Sequence, residues 1–79
     1  MTCREEILAA VQSVRRRSGR DTFALHEILT EMKSKGTAYS ESTIRTHVAS
    51  RMCSNAPDHH SMVYDDLVRV DRAKYKLAR

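Results

Sequence analysis

The sequence predicts a small α+β domain: three helices, a short extended piece ahead of the second, and a C-terminal two-stranded antiparallel ribbon. Three observations predict it. Apolar residues recur at helical spacing in three separate stretches. The last third instead alternates with a period of two, in two runs divided by Asp71, Arg72 and Ala73. At 79 residues the chain holds one domain with one lean core.

Thr2 and Glu5 form a T-x-x-E capping box, so the first helix is expected to start at once. Ile7, Leu8, Val11 and Val14 give its apolar stripe. Arg15, Arg16 and Arg17 occupy its last turn, where the helix dipole favours cations. Gly19 is placed to end it, so the helix spans about residues 3–17. Asp21, Thr22 and Phe23 suit a very short extended piece. Leu25, Ile28, Leu29 and Met32 then predict a helix over about 25–34, stopping near Gly36. Its N-cap is poor, because Ala24 offers no acceptor.

Ser40 is a good cap for the third helix, with Tyr39 and Ile44 spaced as a hydrophobic staple. Ile44, Val48 and Met52 line one face of it, and Asn55 and Pro57 are expected to end it. The opposite face is small and polar: Ser42, Thr46 and Ser50, flanked by Thr43, Arg45 and Ala49. Residues 55–66 read as a loop. Leu67 to Val70 and Lys74 to Ala78 read as the two strands, with Tyr75 and Leu77 turned to the helices and Lys74 and Lys76 outward. The turn lacks glycine, which leaves its type open. Three helices followed by a hairpin, with an extended piece before the second, is the order of a winged helix.

Composition excludes several classes. Apolar content is 41% and charged content 30%, as in a globular protein in water. No apolar run approaches the ~20 residues of a membrane span, and residues 1–5 carry no apolar signal segment. Two cysteines, Cys3 and Cys53, make no disulfide framework, and free thiols in a cytoplasmic protein are expected. The net charge is +4, and residues 67–79 alone carry five basic residues and one acid. An anionic partner follows from that balance.

Neither a cofactor nor a metal site is expected. Cys53, His59 or His60, and Asp58 or Asp65 can be assembled into a ligand set on paper, yet the chain has no CxxC or HxxxH spacing. His26 reads as a surface residue, and His47 as a structural hydrogen bonder beside the apolar stripe. Asp65 and Asp66 are adjacent acids without a lysine-bearing nuclease motif or a glycine-rich phosphate loop, so a metal-dependent nuclease is the weakest reading and no enzyme is expected.

The polar face of the third helix carries the more specific chemistry. Ser42, Thr43, Arg45, Thr46 and Ser50 include donors for base edges, and Arg45 is long enough to fork onto guanine O6 and N7. That helix is nearly neutral, so phosphate attraction must come from elsewhere. Ser40, Arg69, Arg72, Lys74, Lys76, Arg16, Arg17 and Lys35 are the backbone candidates, with Arg15, Arg20 and Lys33 nearby.

The chain resembles the winged helix-turn-helix superfamily of DNA-binding domains. The cues are Phe23 followed by Leu25-x-x-Ile28, then Ser40-x-x-Thr43-Ile44-Arg45, then Leu67-x-Arg69-Val70 leading to Tyr75-x-Leu77. It also looks like a narrower group of small bacterial and phage modules, some resembling appendages of restriction-type or other DNA-processing proteins. The resemblance implies double-stranded DNA as the partner, bound by a small regulator located in the cytoplasm and on the nucleoid. It puts Ser42, Thr43, Arg45, Thr46 and Ser50 in the major groove and Arg72 and Lys74 at the wing tip. Ala73 departs from the glycine common in such wings, which puts the reach and aim of the wing in doubt. The alternative is a protein-interaction or homodimerisation module, which an exposed apolar patch on the first helix or the hairpin would favour.

Overall fold

The structure, a computed structural model, describes residues 2–55 and 64–78. Helix α1 spans Cys3–Ser18 and starts on the expected capping box: Thr2 Oγ1 accepts the Glu5 N–H at 3.2 Å, and the Glu5 carboxylate accepts the Thr2 N–H at 2.8 Å. It ends at Gly19, whose φ of 72° is the left-handed conformation that a side chain would strain. Helix α2 spans Leu25–Ser34. Ala24 provides no cap oxygen, but Glu27 reaches back to accept the Ala24 N–H at 2.8 Å, so half of a capping box still operates.

Helix α3 spans Glu41–Thr46, and Ser40 Oγ accepts the Thr43 N–H at 3.2 Å as its cap. The winding then widens into a π turn over His47–Arg51, closed by Met52 N–H to the His47 carbonyl at 2.8 Å. The expectation of one regular helix running to Asn55 and Pro57 is therefore corrected: helical winding ends at Arg51, and Pro57 lies outside the described residues. The spacing of the apolar residues explains the change. Ile44, Val48 and Met52 lie four apart, and each step of four in a regular helix drifts about 40° around the axis. The wider turn removes much of that drift, and all three are at most 1% exposed.

The sheet has three strands. Strand β1 (Thr22–Ala24), β2 (Leu67–Asp71) and β3 (Lys74–Leu77) lie in the order β1-β3-β2, with both pairings antiparallel. The hairpin expected at the C-terminus thus takes the extended piece before α2 as a third strand, one residue later than expected. Phe23 pairs with Tyr75 and Leu67 with Leu77, which turns these side chains toward the helices. They join Ile7, Val11 and Val14 of α1, Ile28 and Met32 of α2, and Ile44, Val48 and Met52 in one core.

Behind the π turn, residues 52–55 lie along the outer edge of β2. Cys53 bridges Leu67 in parallel, with Leu67 N–H donating to the Met52 carbonyl and Ser54 N–H to the Leu67 carbonyl, both at 2.8 Å. Asn55 closes the edge with its side chain: its amide donates to the Arg69 carbonyl and its Oδ1 accepts the Arg69 N–H, both at 3.0 Å. Read from sequence as a helix stop, Asn55 instead satisfies a strand edge that would otherwise present unpaired backbone groups. Arg4 fastens the start of the hairpin to α1 through a two-pronged ion pair with Asp66, at 2.7 and 2.8 Å, while lying 4.2 Å from the centre of the Tyr64 ring.

The hairpin turns through Arg72 and Ala73, with a β-bulge at Val70. Ala73 has φ 55°, in the left-handed region. Its carbonyl accepts the Leu25 N–H at 3.0 Å, which continues the β1–β3 ladder into the first turn of α2. The tip is therefore bonded to the body and does not stand out as a free arm.

Glu31 links α1 to α2. Its side chain is 7% exposed and takes Arg17 at 2.7 Å and Lys35 at 3.4 Å, while Lys35 also donates to Ser13 Oγ at 2.9 Å. The hydrogen bond and charge of Arg17 hold the Glu31 carboxyl below its ordinary range, and the Ala24 N–H with Arg20 does the same for Glu27.

Two predictions follow from this architecture. Glycine at position 73 relieves the left-handed strain of alanine, and Ala73→Gly is expected to raise stability by about 1 kcal/mol, read as a higher urea midpoint at unchanged slope. Acid sensitivity has a definite sign. Because Glu27 and Glu31 titrate lower in the folded chain than in the unfolded one, the unfolded state takes up protons first. Their stabilisation is complete above the ordinary glutamate range, about pH 4.3, and disappears as the pH falls through and below it. Thermal melts should be level from neutral pH to about 5 and fall steeply below about 4. Glu31→Gln should melt lower at neutral pH and lose less on acidification.

Candidate nucleic-acid interface

Short caps and a change of winding set the polar face of α3. Ser42, Arg45 and Thr46 are exposed, while Thr43 is half-buried. Ser50, expected in line with Ser42 and Thr46, is also half-buried, and Ala49 and Arg51 are exposed beside it. Several hydroxyls are already engaged. Thr46 Oγ1 donates to the Ser42 carbonyl at 2.9 Å, and Ser40 Oγ donates to Thr43 Oγ1 at 3.0 Å while lying 3.2 Å from Ser42 Oγ. His47 Nδ1 donates to the Thr43 carbonyl at 2.9 Å, the structural hydrogen bond its position predicted. Ser42, Thr43, Thr46, His47 and Arg51 line an open depression of about 280 Å³.

The hairpin supplies a second basic surface. Arg69, Arg72, Lys74 and Lys76 are all exposed. Lys74 and Lys76 stand on the outer face of the sheet, since the intervening Tyr75 is buried in the core. Arg69 is partly turned back, its Nε donating to the Asp71 carbonyl at 3.3 Å, and Asp71 Oδ1 accepts the Arg72 N–H at 2.7 Å to brace the turn. Because residues 52–55 run beside β2, the end of the π turn and the hairpin are adjacent parts of one surface.

Ion pairing separates the cations into two groups. At the end of α1 and along α2, Arg15 pairs with Asp21, Arg17 and Lys35 with Glu31, Arg20 with Glu27, and Lys33 with Glu41. Arg16 alone of the α1 arginine run has no ion-pair partner among the described residues. By contrast Arg45, Arg51, Arg69, Arg72, Lys74 and Lys76 make no ion pair among the described residues. The unpaired charge thus gathers on α3, the π turn and the hairpin. Arg17 and Lys35, candidates for backbone contact from sequence, have a carboxylate in hand.

Sequence periodicity missed Arg51 and His47 as companions of Ser42 and Thr46, because it assumed regular winding throughout. The available signal was the repeated spacing of four from Ile44 to Val48 to Met52. His59, His60 and Asp58 lie outside the described residues, and so does any ligand set built on them. Among the described residues no group of three or more His, Cys, Asp or Glu side chains is placed to hold a metal ion. No helix among them is long and apolar enough to cross a membrane.

Comparison with known proteins gives one match. Residues 3–77 match a family described as a domain of unknown function, DUF7669. No curated protein and no solved structure matches the chain. The match runs from the first residue of α1 to the last of β3, and the chain belongs to the DUF7669 family.

Proposed function

We propose that this domain binds double-stranded DNA with sequence preference, as a small transcriptional regulator. The distribution of unpaired cations carries this reading. Acids neutralise the arginines and lysines of α1 and α2 one by one, whereas those of α3, the π turn and the hairpin face solvent without a carboxylate partner. Exposed pairs are worth little to folding, so leaving one contiguous group unpaired costs little stability and keeps it available to a polyanion.

Within that surface the roles divide by chemistry. Arg45, exposed on α3, is the side chain suited to a guanine edge, with Ser42 and Thr46 beside it as small neighbours that permit close approach. Arg72, Lys74 and Lys76 supply phosphate attraction from a tip that is fixed to α2, so their contacts fall close to the body of the domain and not along a long wing. The protein-interaction alternative draws no support of its own. Among the described residues the exposed large apolar side chains are Tyr64 and Val70, six positions apart, and the apolar stripe of α1 is spent on the core.

Fluorescence anisotropy with random and selected duplexes at two salt concentrations tests the reading, and salt-independent or absent binding by the unaltered chain would sink it. Arg45→Ala should cost about 1–3 kcal/mol at a selected site and relax one base position. Lys74→Ala should weaken all sequences about equally and reduce the salt slope by about 1.

A further inference from the structure

We propose that the open depression along α3 and the π turn seats one phosphodiester group of a nucleic-acid backbone, with Arg51 as its charged ligand and Thr43 as its hydroxyl donor. The proposal rests on the duplex-binding reading above and adds a built site to it. Four depressions can be compared by their linings. One between α1 and α2 contains Glu6, one beside Arg15 and Lys76 contains Asp21, and one beside Leu8 and Leu77 contains Asp65 and Asp66. The depression on α3 contains no carboxylate: its polar groups are a guanidinium, an imidazole and three hydroxyls. Arg51 has no ion-pair partner among the described residues. A cation would find no counter-charge there, and an apolar group would cover the hydroxyls without bonding them. An anion satisfies both.

The π turn assembles this lining. Thr46 and Arg51 are five residues apart, which in a regular α-helix sets them about 140° apart around the axis. In the wide turn closed by His47 and Met52, residues five apart stack one above the other, so Arg51 comes beneath Thr46 and joins the Ser42 side of the helix. The hydroxyls are also ordered. Ser40 uses its proton on Thr43 Oγ1, so Ser42 supplies the proton of the Ser40–Ser42 contact and the Thr43 proton remains to point outward. Thr46 is committed to the Ser42 carbonyl and His47 to the Thr43 carbonyl, so both act as fixed walls. Two donors are left for a ligand, the Arg51 fork and the Thr43 hydroxyl, which suits the two non-bridging oxygens of a phosphodiester.

The test follows the Arg51 Nε–H and the Thr43 and His47 amide resonances of the full chain, titrated in parallel with inorganic phosphate and with a mixed-sequence duplex. The duplex should move all three. Arg51→Ala should lower duplex affinity about tenfold and the magnitude of the salt slope by about 0.9, and Arg51→Lys should restore the slope but not the affinity. Thr43→Val should lower affinity without changing the slope. Circular dichroism of each variant guards against unfolding. If Arg51→Ala leaves affinity and slope unchanged while Lys74→Ala still lowers the slope, the site is wrong and the DNA reading stands. If inorganic phosphate moves the resonances and the duplex does not, the depression takes free phosphate and the backbone assignment is overturned. If the unaltered chain binds no duplex, both fall.

Discussion

The pairing of Thr22–Ala24 with Lys74–Lys76 is the constraint on which the rest of the domain depends. Those three residues join segments some fifty positions apart and place the last strand between two others. Without β1, the C-terminal hairpin would be an isolated pair of short strands, marginal in water. With it, Phe23, Leu67 and Tyr75 form one apolar sheet face, and three helices of modest length have a surface to pack on. The loop closure is long, so its entropic cost falls on contacts made late in the chain. That places Arg4–Asp66 and Asn55–Arg69 in context: both fasten the returning segment at points where the ladder alone would fray.

The electrostatics follow the same division. The N-terminal half settles its own charge, with carboxylates of α2 answering arginines of α1 and of the connection between the helices. Glu31 does so while nearly buried, where two cations and the adjacent Ser13 contact keep the ionised form favourable. The C-terminal part has fewer acids, and those it has serve the backbone or α1: Asp71 braces the turn and Asp66 holds Arg4. Net charge alone could not separate these halves. A total of +4 is modest, but its location is not spread evenly.

Much of the fold was legible because its signals are local. The Thr2–Glu5 box, Gly19, the Leu25–Met32 stripe and the Ser40 cap each act within one helical turn, and each structure element begins or ends where they place it. The recruitment of Thr22–Ala24 as a third strand was legible only as an extended piece, since nothing local says what it pairs with. The π turn was hidden by the assumption of regular winding, although Ile44, Val48 and Met52 recorded it in their spacing. Asn55 was misread for a related reason. Its residue type fits a helix stop, while its actual partner, the Arg69 peptide, lies fourteen residues on. The interface candidates Arg17 and Lys35 were legible as charges but not as partners of Glu31, because pairing between helices depends on their packing.

The bond from the Leu25 N–H to the Ala73 carbonyl has a consequence for association. A protruding arm must lose its backbone freedom when it meets a rigid surface, and that loss subtracts from whatever its charges gain. Here Arg72 and Lys74 flank a turn whose carbonyl is already fixed to a helix, and only their side chains remain to be ordered. The tip gives up span in exchange for preorganisation. A polyanion meeting it must therefore come to the domain, and shape fit near α2, more than reach, limits which surfaces it can accept.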